Sequence, residues 1–227
     1  MTSPARLPLP TDTITAAVAV AAVPLALAVL ADNVRVRRQL QAARREPLTS
    51  LVSRDVLAAR IARLAATHRE QLHVLVADAD GLKDVNDTLG HAAGDVLIAA
   101  VGRRFGAWAA ARGGIAARLG GDEFAAAVLL PQAATVREAT ALRELLAQPV
   151  ACGTEILRPA VSIGAARAAD LPDAAGADRM LRGADMAMYR VKTGQEACGY
   201  VATRHDAYMP AVHGRRPGRP GTHLPAG

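Results

Sequence analysis

The chain has 227 residues, 51% of them hydrophobic but only 3% aromatic, and a formal net charge of +6. That length fits one ordinary domain with extensions, and the apolar content, although rich in alanine, is enough for a core. The positive charge is nearly all arginine and gathers in residues 35–45 and the C-terminal tail, not on an aromatic-lined basic face, which argues against a nucleic-acid partner.

In chain order, residues 1–13 are Pro-rich and read as a disordered N-terminus. Residues 14–31 are uncharged and apolar, and as a helix they would reach about 27 Å, close to the hydrocarbon thickness of a bilayer. Arg35, Arg37, Arg38, Arg44 and Arg45 follow, against Arg6 alone before them, so the positive-inside rule places everything downstream in the cytoplasm. The stretch reads as a single-pass anchor in the inner membrane. Pro24 interrupts it and alanine inserts weakly, so a soluble helix and a cleaved signal peptide are the alternatives. Residues 32–46 read as a basic linker helix that Pro47 ends.

Residues 47–203 have the pattern of a folded domain. Apolar spacing predicts a helix over 55–64 with Ser53 as its N-cap. A strand over 72–77 follows, then a loop through Asp80-Gly81 and a helix from Leu89 to Trp108. Short apolar runs at 114–118 and 123–130 read as strands that meet at Gly120-Gly121, a hairpin tip. A helix over 133–146, a strand over 157–165, a helix over 177–192 and a short strand over 199–202 complete the series. The order β-α-β-β-α-β predicts an α+β sandwich with helices on one face of a mainly antiparallel sheet. Residues 204–227, rich in Pro, Gly and Arg, read as a disordered basic tail. Cys152 and Cys198 form no C-x-x-C and the six histidines show no metal-ligand spacing, so the thiols read as structural and reduced.

The chemistry gathers at the hairpin tip. Gly120-Gly121 bares backbone N–H groups where a phosphate could approach, Asp122 and Glu123 follow at once, and Asp78 ends a separate strand. Those carboxylates would repel a phosphate unless a divalent cation lay between them. The pattern therefore points to a Mg²⁺–nucleotide site with Asp78, Asp122 and Glu123 as oxygen ligands. A Gly-Gly-acid turn alone is more often only a solvated hairpin.

The wider pattern resembles one family. Asp78-Ala79-Asp80-Gly81-Leu82-Lys83-Asp84-Val85-Asn86, Leu89-Gly90-His91-Ala92-Ala93-Gly94-Asp95 and Gly120-Gly121-Asp122-Glu123-Phe124 look like the signature of the GGDEF-domain diguanylate cyclases. Glu46-Pro47-Leu48-Thr49-Ser50-Leu51 through Arg54 resembles the family's opening D-x-L-T-G-L-x-N-R. Val161-Ser162-Ile163-Gly164-Ala165 resembles its S-I-G strand, and residues 184–192 its A-D-x-A-L-Y-x-A-K helix.

The resemblance implies a nucleotidyl-cyclase-like βαββαβ core and a reaction that joins two GTP into cyclic di-GMP. It implies two Mg²⁺ or Mn²⁺ ions per site, and a homodimer whose domains face each other. Metal ligands then fall on Asp78, the Ala79 carbonyl, Asp122 and Glu123, and the catalytic acids are Asp122 and Glu123, either of which takes the 3′-hydroxyl proton. Gly120, Gly121, Lys83 and Lys192 fall at the phosphates, and Asn86 and Asp95 at the guanine. A carboxylate can accept from both the N1–H and the exocyclic amine of guanine, a pair of donors that adenine lacks.

Four departures stand out. Ser50 and Ser53 replace a glycine and an asparagine in the opening motif, where a turn would be strained. Gly194-Gln195-Glu196 lacks the arginine of the family's G-R-N, and Leu82 replaces a frequent phenylalanine. Ala111 and Gly114 stand where R-x-x-D makes a product-inhibition site, so none is expected. Gln195 and the altered opening motif leave a catalytically silent GTP-binding regulatory module as the alternative to an active cyclase.

Overall fold

The chain folds around a nine-residue strand, β1 (Leu72–Asp80), buried along its whole length except at Asp80. The computed structural model describes residues 46–172 and 175–209. The N-terminal 1–13, the predicted membrane span, the linker up to residue 45 and the chain beyond Met209 lie outside the described residues. Among the described residues no helix is long and apolar enough to cross a membrane.

The sheet is antiparallel throughout, in the order β2-β3-β1-β6, with β2 at Ile115–Gly120, β3 at Glu123–Leu129 and β6 at Ala160–Arg167. Side chains of a strand alternate between faces, and here each face meets its own layer of helices. Leu75, Ala77 and Ala79, with Phe124, Ala126 and Ile163, pack in one core with α3 (His91–Ala110) and α4 (Thr135–Leu146). Val74 and Val76, with Ala125 and Ala127, pack in the other with α1 (Arg54–Thr67) and α5 (Ala177–Lys192). Helices thus cover both faces, not the one face expected. The physical sign is in β1 itself, whose near-continuous apolar run belongs to a strand buried on both sides.

The other differences are local. β1 continues to Asp80 because Asp78 pairs with Glu123 of β3 and Asp80 with Ala160 of β6. The stretch expected as a loop holds a helix of its own, α2 (Leu82–Leu89), flanked by Gly81 and Gly90 in left-sided conformations and burying no residue completely. Its apolar stripe, Leu82, Val85 and Leu89, is too short to tell a helix from a loop in the sequence. A hairpin of β4 (Val150–Cys152) and β5 (Glu155–Leu157) precedes β6, which therefore starts at Ala160, not 157. The last strand reduces to a bridge between Ala165 and Val201. Ser53 holds the N-cap position, but its side chain makes no capping bond. Ser50 has φ 59°, the strained turn expected where the glycine is replaced.

Part of the segment 204–209, expected to start the unstructured tail, packs against the domain. Asp206 and Ala207 are fully buried, and Asp206 pairs with Arg190 of α5 at 2.8 Å.

One close approach sets the position of α5. A Cβ on Gly164 of β6 would lie 2.0 Å from the Met188 amide nitrogen, so only glycine lets the helix come this near. Lys192 lies one turn beyond Met188, on the same helix face.

Candidate functional site

Three polar residues form a row across the sheet. In register, Asp78 of β1 lies between Glu123 of β3 and Ser162 of β6, on the face that α5 covers. Asp80, two residues on, shares that face and accepts from Ser162 Oγ at 2.8 Å. Lys192, the last residue of α5, reaches into the row. Its Nζ lies 2.5 Å from Asp78 Oδ1 and 3.1 Å from Asp80 Oδ1.

The electrostatics are those of crowded carboxylates. Asp78 is fully buried, and its Oδ2 has no hydrogen-bond partner among the described residues. Burial pushes its carboxyl above the ordinary value, and the nearby Asp122 and Asp80 charges push the same way against the pull of Lys192. For Lys192, burial would lower the pKa, but the two carboxylates outweigh it and raise it. A single ammonium thus stands among several acids.

The hairpin brings the remaining acids to the row. Gly120 and Gly121 have φ 151° and 52°, and the register shifts between Arg118 and Gly120, so the tip is a bulged turn. Asp122 sits in that turn, half-buried, with its carbonyl accepting from the Ala79 amide at 2.9 Å. Glu123 opens β3 and is only 9% exposed. Asp78, Ala79, Asp122, Glu123, the two glycines and Lys192 thus lie at the same end of the sheet.

The other expected residues stand apart on the α2–α3 pair. Asn86 is half-buried on α2, Asp95 is exposed in the second turn of α3, and Lys83 is exposed in the first turn of α2. Among the described residues Lys83 makes no ion pair, and Gln195 is exposed beyond the end of α5. A cavity of about 600 Å³ opens beside Asp80 and Ser162 and is lined also by Arg143 and Glu144 of α4.

Two residues without an expected role belong to the site. Asp80 shares the Lys192 ammonium, and the period of two from Asp78 was signal enough to place it on the same face. Arg118 donates from Nε and Nη2 to the Gly121 carbonyl at 2.9 and 2.7 Å, and from Nη1 to Glu46 Oε1 at 2.7 Å. Glu46 Oε2 in turn accepts from the Thr49 amide and hydroxyl, each at 2.7 Å. Burial alone would raise the Glu46 carboxyl, but the Thr49 bonds and the Arg118 charge hold it below its usual range. The opening turn and the hairpin tip are thereby tied into one unit, which no local sequence pattern could announce.

As a metal centre the site is incomplete by itself: among the described residues no three His, Cys, Asp or Glu side chains are grouped to hold an ion. The donor set nonetheless fits a hard cation, since it is all oxygen and includes a buried carboxylate oxygen without a partner.

Known proteins match this arrangement. The family profile described as diguanylate cyclase, GGDEF domain, matches residues 43–198. An uncharacterized 19.3 kDa protein of Streptomyces ambofaciens is 41% identical over 155 residues, which are 68% of this chain and 81% of that one. Diguanylate cyclase TpbB of Pseudomonas aeruginosa is 36% identical over 163 residues, 66% of this chain but only 35% of its own length. The solved GGDEF domain of TpbB from the same organism superposes with a TM-score of 0.64 at 34% identity, covering 71% of this chain and 96% of that domain.

Proposed function

The chain belongs to the GGDEF family of diguanylate cyclases, and from that membership we propose that it condenses two GTP into cyclic di-GMP and two pyrophosphates. The observation that carries the proposal is the row of acids beneath the hairpin, where Asp78, with its unpartnered Oδ2, pairs in register with Glu123. Two Mg²⁺ or Mn²⁺ ions would be held by Asp78, the Ala79 carbonyl, Asp122 and Glu123. Bound there, such ions supply Lewis-acid polarisation of the α-phosphate and a lowered pKa for the attacking 3′-hydroxyl. Mg²⁺ takes few protein ligands and shares the rest with triphosphate oxygens, which suits a site that gathers its acids only in part.

The chain's own groups do the rest. The Gly120 and Gly121 amides meet the phosphates, and Lys192 adds a point charge to the triphosphate. Lys83, exposed on α2, adds a second. Asn86 and Asp95 hold the guanine, and Asp122 or Glu123 accepts the 3′-hydroxyl proton as the oxygen bonds to phosphorus and pyrophosphate leaves. Each domain holds one nucleotide, so the two bonds of the ring form only between two facing copies. The reaction thus needs a homodimer and rises with protein concentration. Its substrate places the domain in the cytoplasm, whatever residues 14–31 do.

The test is chromatography of the products after the full chain is incubated with GTP and Mg²⁺. Cyclic di-GMP is expected from the native chain, and Glu123→Gln should abolish it without loss of fold. GTP bound with no pyrophosphate released would assign the chain to the silent regulatory class instead.

A further inference from the structure

Gly94 has no part in the reaction as described, yet it is buried in α3 immediately before Asp95. A Cβ built on it would lie 2.0 Å from Asn86 Oδ1, 3.0 Å from Asn86 Cγ and 3.1 Å from Leu82 Cδ1. The first distance is well inside any real contact, so the Asn86 amide occupies the space that a side chain on residue 94 would claim. Leu82 and Asn86 are four residues apart and so lie on one face of α2. Both press into the same notch.

The notch matters because α2 is held by few groups besides Leu82 and Val85, which pack half-buried against the core. The helix has eight residues and none is fully buried. Helices that short are marginal in isolation, so α2 keeps its place through its neighbours. Its densest packing is with α3. The placement of Asn86 thus depends on a missing side chain in the partner helix.

We propose that Gly94 is a specificity-determining positioning residue, whose bare Cα seats the Asn86 carboxamide beside Asp95 so that the two read guanine as a unit. The inference rests on the GTP reading above and deepens it. A carboxylate can accept from the N1–H and exocyclic amine of guanine, while a carboxamide fixed next to it can donate to an acceptor of the same base. Adenine offers a different pattern, and polar groups left unpaired against the wrong base penalise it. Displacing the amide by an ångström keeps both groups in the chain but breaks their joint geometry.

The experiment measures GTP and ATP binding by the full chain and by Gly94→Ala, with Ca²⁺ in place of Mg²⁺ to hold back turnover, together with KM and kcat in Mg²⁺. Gly94→Ala should weaken GTP binding about tenfold and narrow the GTP-over-ATP ratio by a similar factor, with kcat changed by less than about twofold. In an Asn86→Ala background the same substitution should change GTP binding by less than about twofold, because the group it displaces is already gone. If Gly94→Ala is too unstable to assay, the Asn86→Ala/Gly94→Ala pair should recover the melting temperature, since the clash has been removed. Unchanged GTP affinity in Gly94→Ala, fully additive losses in the pair, or a pair that stays unfolded each overturn the inference while leaving the GTP reading intact. A native chain that binds no GTP overturns both.

Discussion

Replacing Asp206 with alanine tests whether the C-terminal segment is part of the domain. The Asp206 carboxylate is fully buried and accepts from the Thr203 amide at 2.7 Å, the Thr203 hydroxyl at 2.8 Å and the Tyr200 hydroxyl at 3.3 Å, with Arg190 at 2.8 Å. Removing one partner of a buried pair costs about 3–5 kcal/mol. The Arg190 side chain is 30% exposed and can recover water, which brings the expectation down to about 2–4 kcal/mol. At about 2–4 °C per kcal/mol for a domain of this size, the melting temperature should fall by roughly 4–16 °C. Circular dichroism melts of both chains measure it. Burial alone would raise the Asp206 carboxyl, but the Thr203 bonds and the Arg190 charge outweigh it and hold the group below its ordinary value. A folded-state pKa below the unfolded one stabilises above the unfolded value and ceases to do so as pH falls through the folded value. The gap between the two melts should therefore be widest near neutral pH and narrow below about pH 4. A drop under about 2 °C at pH 7, or a gap indifferent to pH, would refute the claim that this contact anchors the segment.

Two further substitutions separate stability from activity. Asp78→Asn should abolish cyclic di-GMP formation yet raise the melting temperature, because the ionised Asp78 is buried with its carboxyl pushed up and so costs stability at neutral pH; a lower melting temperature would contradict this. Gly164→Ala puts a methyl 2.0 Å from the Met188 nitrogen and must push α5 away from β6, which should cost about 1–3 kcal/mol and raise KM for GTP through displacement of Lys192; wild-type stability and KM together would show that the close approach is not needed.

The sequence made the sheet and the acids legible but not the links between them. Residues 72–77, 115–119 and 124–129 are apolar runs of strand length, and α5 was readable to its ends because its buried positions recur at helical spacing from Met180 to Met188. Asp78, Asp122 and Glu123 were singled out because acids beside a phosphate-friendly turn call for a cation between them, and because the wider motif resembles one family; the turn alone reads as a solvated hairpin. α2 was not legible, since Leu82, Val85 and Leu89 make too short a stripe to tell a helix from a loop, and its ends are set by Gly81 and Gly90 and its place by packing on α3. Nor was the Arg118–Glu46 tie, which joins residues 72 apart in the chain. The same holds for residues 204–209: their composition suits disorder, but Arg190, 16 positions before Asp206, supplies the partner that makes burial affordable. Long-range pairings of this kind leave no local period to read.

The cost of the acidic row bears on whether the chain is an active cyclase or a silent relative. Asp78 is buried without a partner for one oxygen, Glu123 is nearly buried on the adjacent strand, and Asp80 shares the Lys192 ammonium with Asp78. A sheet selected only to bind a nucleotide or to pack would gain by replacing such groups with apolar residues of similar volume, since buried charges seldom repay their desolvation. Local rules are broken most often where function requires it. The departures elsewhere are cheap by comparison, since Gln195 is exposed and Ser50 strains a single residue. A chain that keeps its costly acids and varies only where variation costs little is better explained by a retained metal-assisted reaction than by a site left without one.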